Sequence, residues 1–453
     1  MKRVKKVLIC AAVCATACSF AVLTACTNNQ PSDGLSADVK VAESMSSEQL
    51  NTQIAKIECT SATAFTAEGG IKITKLLSGA LGDKAVTVAE LSAKGNFADG
   101  GAADIKMKLN AQLFGEEGTT PASGLMDYNV YMRGFENVFY MTEPAAETYE
   151  YGSLSESVSG VTSVTDIFTA ALGEGLSGDY AMLLKLANAT DAIVVDETAH
   201  TVTLNINRMV YGLYGQIKQI VNNITLDTTI SGLMKCSAVK YYINAYAGDM
   251  TAQDLYDTII QTIVGAGGTT PFADVAEGSP LAAILPLQNE GVYDYIVRLL
   301  NSQDVATLLG AEKPLGETKL SESMGEDAAA ALKALKDSVN ALDGTVISKN
   351  KITIPSQDGT ESAVGGASIS DLSLEFAFDG QQGLKTVDLS GIIGANLDGE
   401  VEMELNLTID LSAQQVSDFD DIDAYTVNIR DEYGAVLGTT TIGAIIAPDV
   451  SQS

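Results

Sequence analysis

The sequence predicts an α+β fold: a large, curved, half-barrel-like antiparallel sheet, built from N- and C-terminal strands and packed on a central helical block. Three observations lead there. Strict two-residue alternation of apolar and polar residues occurs in both outer parts of the chain. Helical periodicity dominates the middle, about residues 207–345. The returns between alternating segments are short, which requires antiparallel pairing. Alternation gives each strand one oily and one polar face, and the oily faces need cover.

The 453 residues carry 27 Lys+Arg against 58 Asp+Glu, a formal charge of -31, with 46% hydrophobic residues. That apolar content excludes a disordered chain. The acidic excess repels phosphate and excludes a nucleic-acid binder.

Residues 1–6 read MKRVKK, and an apolar run from Val7 follows, ending in Leu23-Thr24-Ala25-Cys26. A basic head, an apolar stretch and small residues before a break are the anatomy of an export signal. The Leu-Thr-Ala-Cys ending resembles the lipobox of bacterial lipoproteins. That resemblance implies a signal peptide over 1–25, lipidation of Cys26, and a mature chain anchored by acyl groups on the extracytoplasmic face of a cell membrane. An uncleaved membrane anchor is the alternative. Lys2, Arg3, Lys5 and Lys6 leave with the signal, which takes the formal charge to -35. Anionic headgroups would repel such a body, so it is expected to stand off the bilayer. Residues 26–45, including the polar stretch TNNQPSDGLSAD, are expected to form a flexible tether. Cys10, Cys14 and Cys18 also leave with the signal. Cys59 and Cys236 then form one disulfide in an oxidising compartment, or stay as two buried thiols.

The elements follow in order. Ser46–Ile57 is a helix, with Leu50, Ile54 and Ile57 on one face and serines to cap it. Strands are expected at Ala85–Leu91 and Ile105–Leu113. A hairpin joins Tyr128–Met132 to Val138–Thr142, and Thr148–Tyr151 is a further strand. Helices are expected over Val164–Leu172 and 178–190, then a hairpin of Ile193–Val195 with Thr201–Ile206. The middle holds helices over Met209–Ile224, from Thr251-Ala252-Gln253-Asp254 (a capping box with Asp for Glu), over Val292–Leu300, Asp304–Leu309 and Asp327–Leu342. Strands return near Val346, with Leu372–Phe378, Thr386–Ser390 and Val401–Leu411. The last is apolar at six consecutive odd positions. An acidic loop and a terminal hairpin, Tyr425–Ile429 with Ala435–Ile442, occupy 412–453, outside the main 46–411 domain.

Long amphipathic strands, a helical insert and an export lipobox together resemble the LolA-like lipoprotein carriers, including the LppX/LprG lipoproteins. The resemblance is one of pattern over residues 59–411. It implies a half-barrel sheet with helices closing an apolar cavity for acyl chains.

Several motifs resolve to plain structure. Gly173-Glu174-Gly175-Leu176-Ser177-Gly178 matches a dinucleotide fingerprint but follows a helical stretch instead of a strand. Ser237-Ala238-Val239-Lys240 matches S-x-x-K, but Lys385-Thr386-Val387 has Val where the penicillin-recognising enzymes need Gly. The single His, His200, lies in a predicted turn with no nucleophile motif to serve. Asp418, Asp420, Asp421 and Asp423 cluster in six residues, so they form a solvated acidic loop or a calcium site. Tyr128, Tyr131, Tyr140, Tyr149 and Tyr151 mark one sheet region, by strand propensity or as the lining of an apolar pocket.

The expectation is therefore a non-enzymatic extracytoplasmic lipoprotein without cofactor or resident metal. It would bind or carry a lipidic or other apolar ligand. The alternative is a structural or protein-interaction component of the cell envelope.

Overall fold

The computed structural model describes residues 35–447, except 59–61, 77–85, 97–101, 111–124, 134–136, 142–147, 154–175, 266–281, 355–366 and a few shorter stretches (249, 283, 325–326, 380–382, 397–399, 413–414 and 432). The described residues form eleven α-helices and fourteen strands. All the strands lie in one curved, unclosed, mostly antiparallel sheet, so the fold is α+β and half-barrel-like. The chain divides into two compact units.

The sheet unit holds all fourteen strands. Helix α1 (Ser47–Glu58) precedes them. Its N-terminus is a capping box: Ser46 Oγ accepts from the Gln49 amide, and the Gln49 side chain accepts from the Ser46 amide. Strands β1 (Ala64–Leu76), β2 (Val86–Asn96), β3 (Ala102–Asn110), β4 (Leu125–Arg133), β5 (Asn137–Tyr140) and β6 (Tyr149–Ser153) form a meander. Helix α2 (Leu176–Asn188) follows, then the hairpin β7 (Ile193–Asp196) and β8 (Thr201–Asn205). The turn between them is set by Asp196, whose carboxylate accepts from the Thr198 and Ala199 amides, and by His200 at φ +56°.

The C-terminal strands β9 (Lys351–Ile354), β10 (Ala367–Phe378), β11 (Leu384–Asn396) and β12 (Glu400–Asp410) join the first set twice. β12 pairs with β1 from Thr66↔Asp410 to Leu76↔Val401, and β10 pairs with β8. Both ends of the chain thus share one sheet. The terminal hairpin, β13 (Thr426–Arg430) and β14 (Val436–Thr441), extends the same sheet, because β13 pairs in parallel with β6. Residues 412–453 therefore include two strands of the main sheet.

β1 is the strand that alternation does not reveal. Gly69-Gly70 interrupts its pattern, yet the pairing runs straight through both residues. A Cβ at Gly69 would lie 2.5 Å from the Asn406 carbonyl oxygen, and one at Gly70 would lie 2.8 Å from that of Ala89. The glycines let three backbones approach closely at the centre of the sheet. Strands resume at Lys351 instead of near Val346. The chain first closes a turn through Gly344 (φ +74°), whose amide donates to the Ile347 carbonyl. The expected helix over Val164–Leu172 lies outside the described residues.

The helical unit comprises residues 35–43, Asn188–Asp191 and Val210–Ile347 among those described. It contains most of α3 (Ile206–Asn223), then α4 (Ile230–Met234), α5 (Ser237–Ala247), α6 (Ala252–Gly265), α7 (Val292–Leu300), α8 (Gln303–Leu308), α9 (Leu320–Met324) and α10 (Ala328–Ala341). The predicted box opens α6: Asp254 accepts from the Thr251 amide, and Thr251 Oγ1 accepts from the Asp254 amide. Met234, Ile243, Leu255, Tyr256, Val292, Tyr293 and Tyr295 make the main core. The Tyr293 and Tyr295 hydroxyls are satisfied inside it, donating to the Met234 and Ile284 carbonyls.

The tether differs from expectation. Leu35–Glu43 is held on the helical unit. The Asp38 carboxylate accepts from the amide and hydroxyl of Ser237 at the start of α5, and the Ser36 and Ala42 amides donate to Asn223 and Ala189. Val39 is 1% exposed against Cys236 and Ala238. Leu35 and Val41 pack beside it, so three apolar side chains seat an otherwise polar segment.

Candidate functional site: the oily face of the sheet

Register places apolar side chains beside one another across many strands. One row runs Ile193, Leu204, Leu374, Leu389, Leu407, Gly69, Leu91, Met107, Tyr128, each paired with the next. A second runs Val195, Val202, Phe376, Val387, Ile409, Ala67, Ala93, Ile105, Val130, Tyr140. Period-two alternation fixes this, since a slip of one residue would turn every side chain to the other face. Burial is graded along the rows. Leu204, Val202, Phe376 and Val387 are buried, whereas Leu389, Leu407, Ile409, Leu91 and Met107 are half-buried.

The opposite face is polar. Glu68 lies between Ser92 and Thr408, Glu90 opposite Lys108, and Lys72 opposite Glu404. A groove of about 820 Å³ runs over β12, β1, β2 and β3 on this side, with Gly70 contributing no side chain at its floor. Directly opposed charges on neighbouring strands satisfy one another, which is the pattern of a solvated face. In the helical unit, a second groove of about 540 Å³ runs along α3 past Tyr211, Gly215, Lys218 and Asp343.

The acidic loop makes ion pairs with the sheet. Asp418 pairs with Lys94 at 3.1 Å, and Asp420 with Lys106 at 2.6 Å. The Asp420 amide donates to Asp104, whose other oxygen meets Arg133 at 2.7 Å as an ion pair. Arg133 also donates to the Asp420 carbonyl and lies over the Phe419 ring. The loop is a clasp: its Asp418 and Asp420 carboxylates pair with Lys94 of β2 and Lys106 of β3, and the Asp420 carbonyl is held by Arg133 of β4. The Lys94 hydrogen bond lowers the Asp418 pKa. Burial raises that of Asp420, but Lys106 and Tyr131 outweigh it and the net direction is down. Among the described residues, no group of three or more His, Cys, Asp or Glu is placed to hold a metal. Of the four carboxylates in the calcium reading, Asp418, Asp420, Asp421 and Asp423, the first two are engaged by lysines.

Behind the clasp lies an aromatic core. Tyr131, Phe139, Tyr149, Ile422, Val427 and Ile442, the first residue of helix α11 (Ile442–Ile446), pack together. Tyr149 and Tyr425 stack at 5.3 Å, and burial pushes the Tyr131 phenol up while its hydroxyl donates to Asp420. The tyrosine cluster is thus divided: Tyr131 and Tyr149 are core, whereas Tyr140 and Tyr151 are exposed. Nearby, Glu150 on β6 takes two bonds from Arg430 and one from Asn428 on β13. The Arg430 hydrogen bonds hold the Glu150 carboxyl below its ordinary range. A depressed carboxylate pKa adds stability that is present above the unfolded value and is lost as pH falls through the folded value. Acid titration is therefore expected to loosen the β6–β13 junction below the normal Glu range. Glu150→Gln, followed by circular dichroism against pH, should remove that part of the acid dependence.

Other residues singled out by sequence have structural work. Ser237 is tied to Asp38, and Lys240 lies over the Tyr293 ring. Cys236 is a buried free thiol donating to the Val39 carbonyl, so it is not half of a disulfide in this structure; Cys59 lies outside the described residues. Gly173–Gly175 and Cys26 also lie outside them. Among the described residues, no helix is long and apolar enough to cross a membrane.

No family model, curated protein or solved structure matches this chain.

Proposed function

We propose that this chain is a membrane-anchored extracytoplasmic lipoprotein, non-catalytic, whose sheet unit binds a lipidic or other apolar ligand. The observation that carries this reading is the graded oily face. A sheet face meant only for a packed core has no use for long apolar rows that stay half-buried at Leu389, Leu407, Leu91 and Met107. Large aliphatic side chains on a curved surface suit an acyl chain, which gains about 0.8 kcal/mol per CH₂ removed from water. The lipobox ending at Cys26 supports the location.

The test is mass spectrometry of the full chain extracted from membranes, alongside binding of a fluorescent fatty acid. A co-purifying lipid is expected, and Leu407→Asp should weaken fatty-acid binding by about tenfold or more. Absence of any bound apolar molecule together with no fatty-acid binding overturns the reading, as does unchanged binding in the variant.

One observation favours a second reading, a structural or protein-interaction component of the cell envelope. β14 is the terminal strand of the sheet order and exposes Val436 and Leu437, with Tyr433 87% exposed beside it. An edge strand with apolar exposure is a template for another strand. Cross-linking on cells that traps a protein partner at β14, with no lipid found, would favour it.

A further inference from the structure

The docked strap sets how far the helical unit can stand from the membrane. Leu35 packs on the cluster of Ile224, Leu320 and Leu332, and the next residue is fixed by the Ser36 amide on the Asn223 carbonyl and by its hydroxyl on the Asn223 side chain. Beyond it, Asp38 caps α5, Val39 is buried, and Ala42 is bonded to Ala189 and Asp191. A chain loose to residue 45 would let the body stand about 70 Å from Cys26, at about 3.5 Å per residue. With Leu35 fixed, nine Cα–Cα steps separate it from Cys26. Their greatest span is about 30 Å.

From this we infer that the C-terminal end of α3 and the adjoining face of α10 form the surface that meets the lipid bilayer. The inference rests on the lipid-anchor reading of Cys26. Strap entry, α3 end and α10 are one neighbourhood. The Lys336 ammonium on α10 donates to the Asn222 and Ile224 carbonyls, and Asn340 pairs with Asn222. The chemistry suits a headgroup layer better than most of this acidic chain does. The polar side chains at the α3 end and on α10 beside Ser36 include Asn222, Asn223, Asn340 and Lys336. Asp38 of the strap is taken up by the amide and hydroxyl of Ser237, and Asp227, Asp337 and Asp343 are matched by Lys319, Lys333 and Lys218. The acidic character that would drive the body off an anionic surface is thus locally neutralised. The expectation of a body standing well clear of the bilayer gives way to one held close, by a defined end.

The experiment uses the full lipidated chain in phosphatidylcholine vesicles carrying an acceptor dye on the headgroups, with a donor at Asn222→Cys in a Cys59→Ser background. Hydrogen exchange of the segment 35–43 is measured on the same protein. Slow exchange over 35–43 and strong energy transfer are expected. Insertion of a Gly/Ser segment of about twenty residues between Ser32 and Asp33 should lower transfer by about twofold while leaving exchange over 35–43 slow. Fast exchange over 35–43, or transfer indifferent to the insertion, overturns the inference. A chain that fails to enter the vesicles while 35–43 stays protected overturns the anchor reading, and the membrane-facing surface falls with it.

Discussion

Arg133→Ala is expected to destabilise the sheet unit by about 3–5 kcal/mol, the cost of leaving a buried charge without its partner. Asp104, on β3, has a side chain only 1% exposed, and its Oδ1 is met by the Arg133 guanidinium at 2.7 Å. Removing the guanidinium leaves that carboxylate buried in low dielectric. It also breaks the donation to the Asp420 carbonyl that holds the C-terminal clasp, and the one to the Ala103 carbonyl on β3. Urea unfolding followed by circular dichroism should show a lower midpoint. Pairing Arg133→Met with Asp104→Leu should recover part of the loss, because no orphan charge remains. Lys333→Ala serves as the control: its partner is Asp337 on the same exposed helix turn, and its loss should cost less than about 0.5 kcal/mol. A change of under about 1 kcal/mol in Arg133→Ala would contradict a buried clasp.

Phe376→Ala is expected to cost about 3–5 kcal/mol, through lost burial and the cavity left behind. Phe376 is fully buried on β10, between Val202 of β8 and Val387 of β11 in the second apolar row. Those neighbours are β-branched and held in the sheet, so they have little freedom to collapse into the space. Leu437→Ala, on the exposed edge strand, should stay within about 0.5 kcal/mol. Equal effects at the two positions in thermal unfolding would mean that the oily row is not a core at its β8–β10 end.

What the sequence made legible is what alternation and capping chemistry encode. Val401–Leu411 was readable because six apolar residues at odd positions permit one face only, and it is β12 at the centre of the sheet. Thr251 and Asp254 were readable because a box closes locally. Features that depend on distant partners were not. β1 carries Gly69-Gly70, and its pairing with β12 spans more than three hundred residues of chain. The acidic loop resembled a solvated or metal-binding segment because Lys94, Lys106 and Arg133 are equally distant in sequence. The strap was masked by its polar residues, with Leu35, Val39 and Val41 spread among them as the clues. The parallel pairing of β13 with β6 had no local signal at all.

Glu68 on β1 and Thr408 on β12 face each other across the seam that joins the two ends of the chain, both exposed on the polar side. With Glu68→Cys and Thr408→Cys placed together in a Cys59→Ser background, mild oxidation is predicted to give an intramolecular disulfide in high yield. The pair Glu68→Cys with Leu407→Cys, whose side chains point to opposite faces, should give none. A bridge in the second pair and not in the first, or in neither, would contradict a sheet built from both ends of the chain.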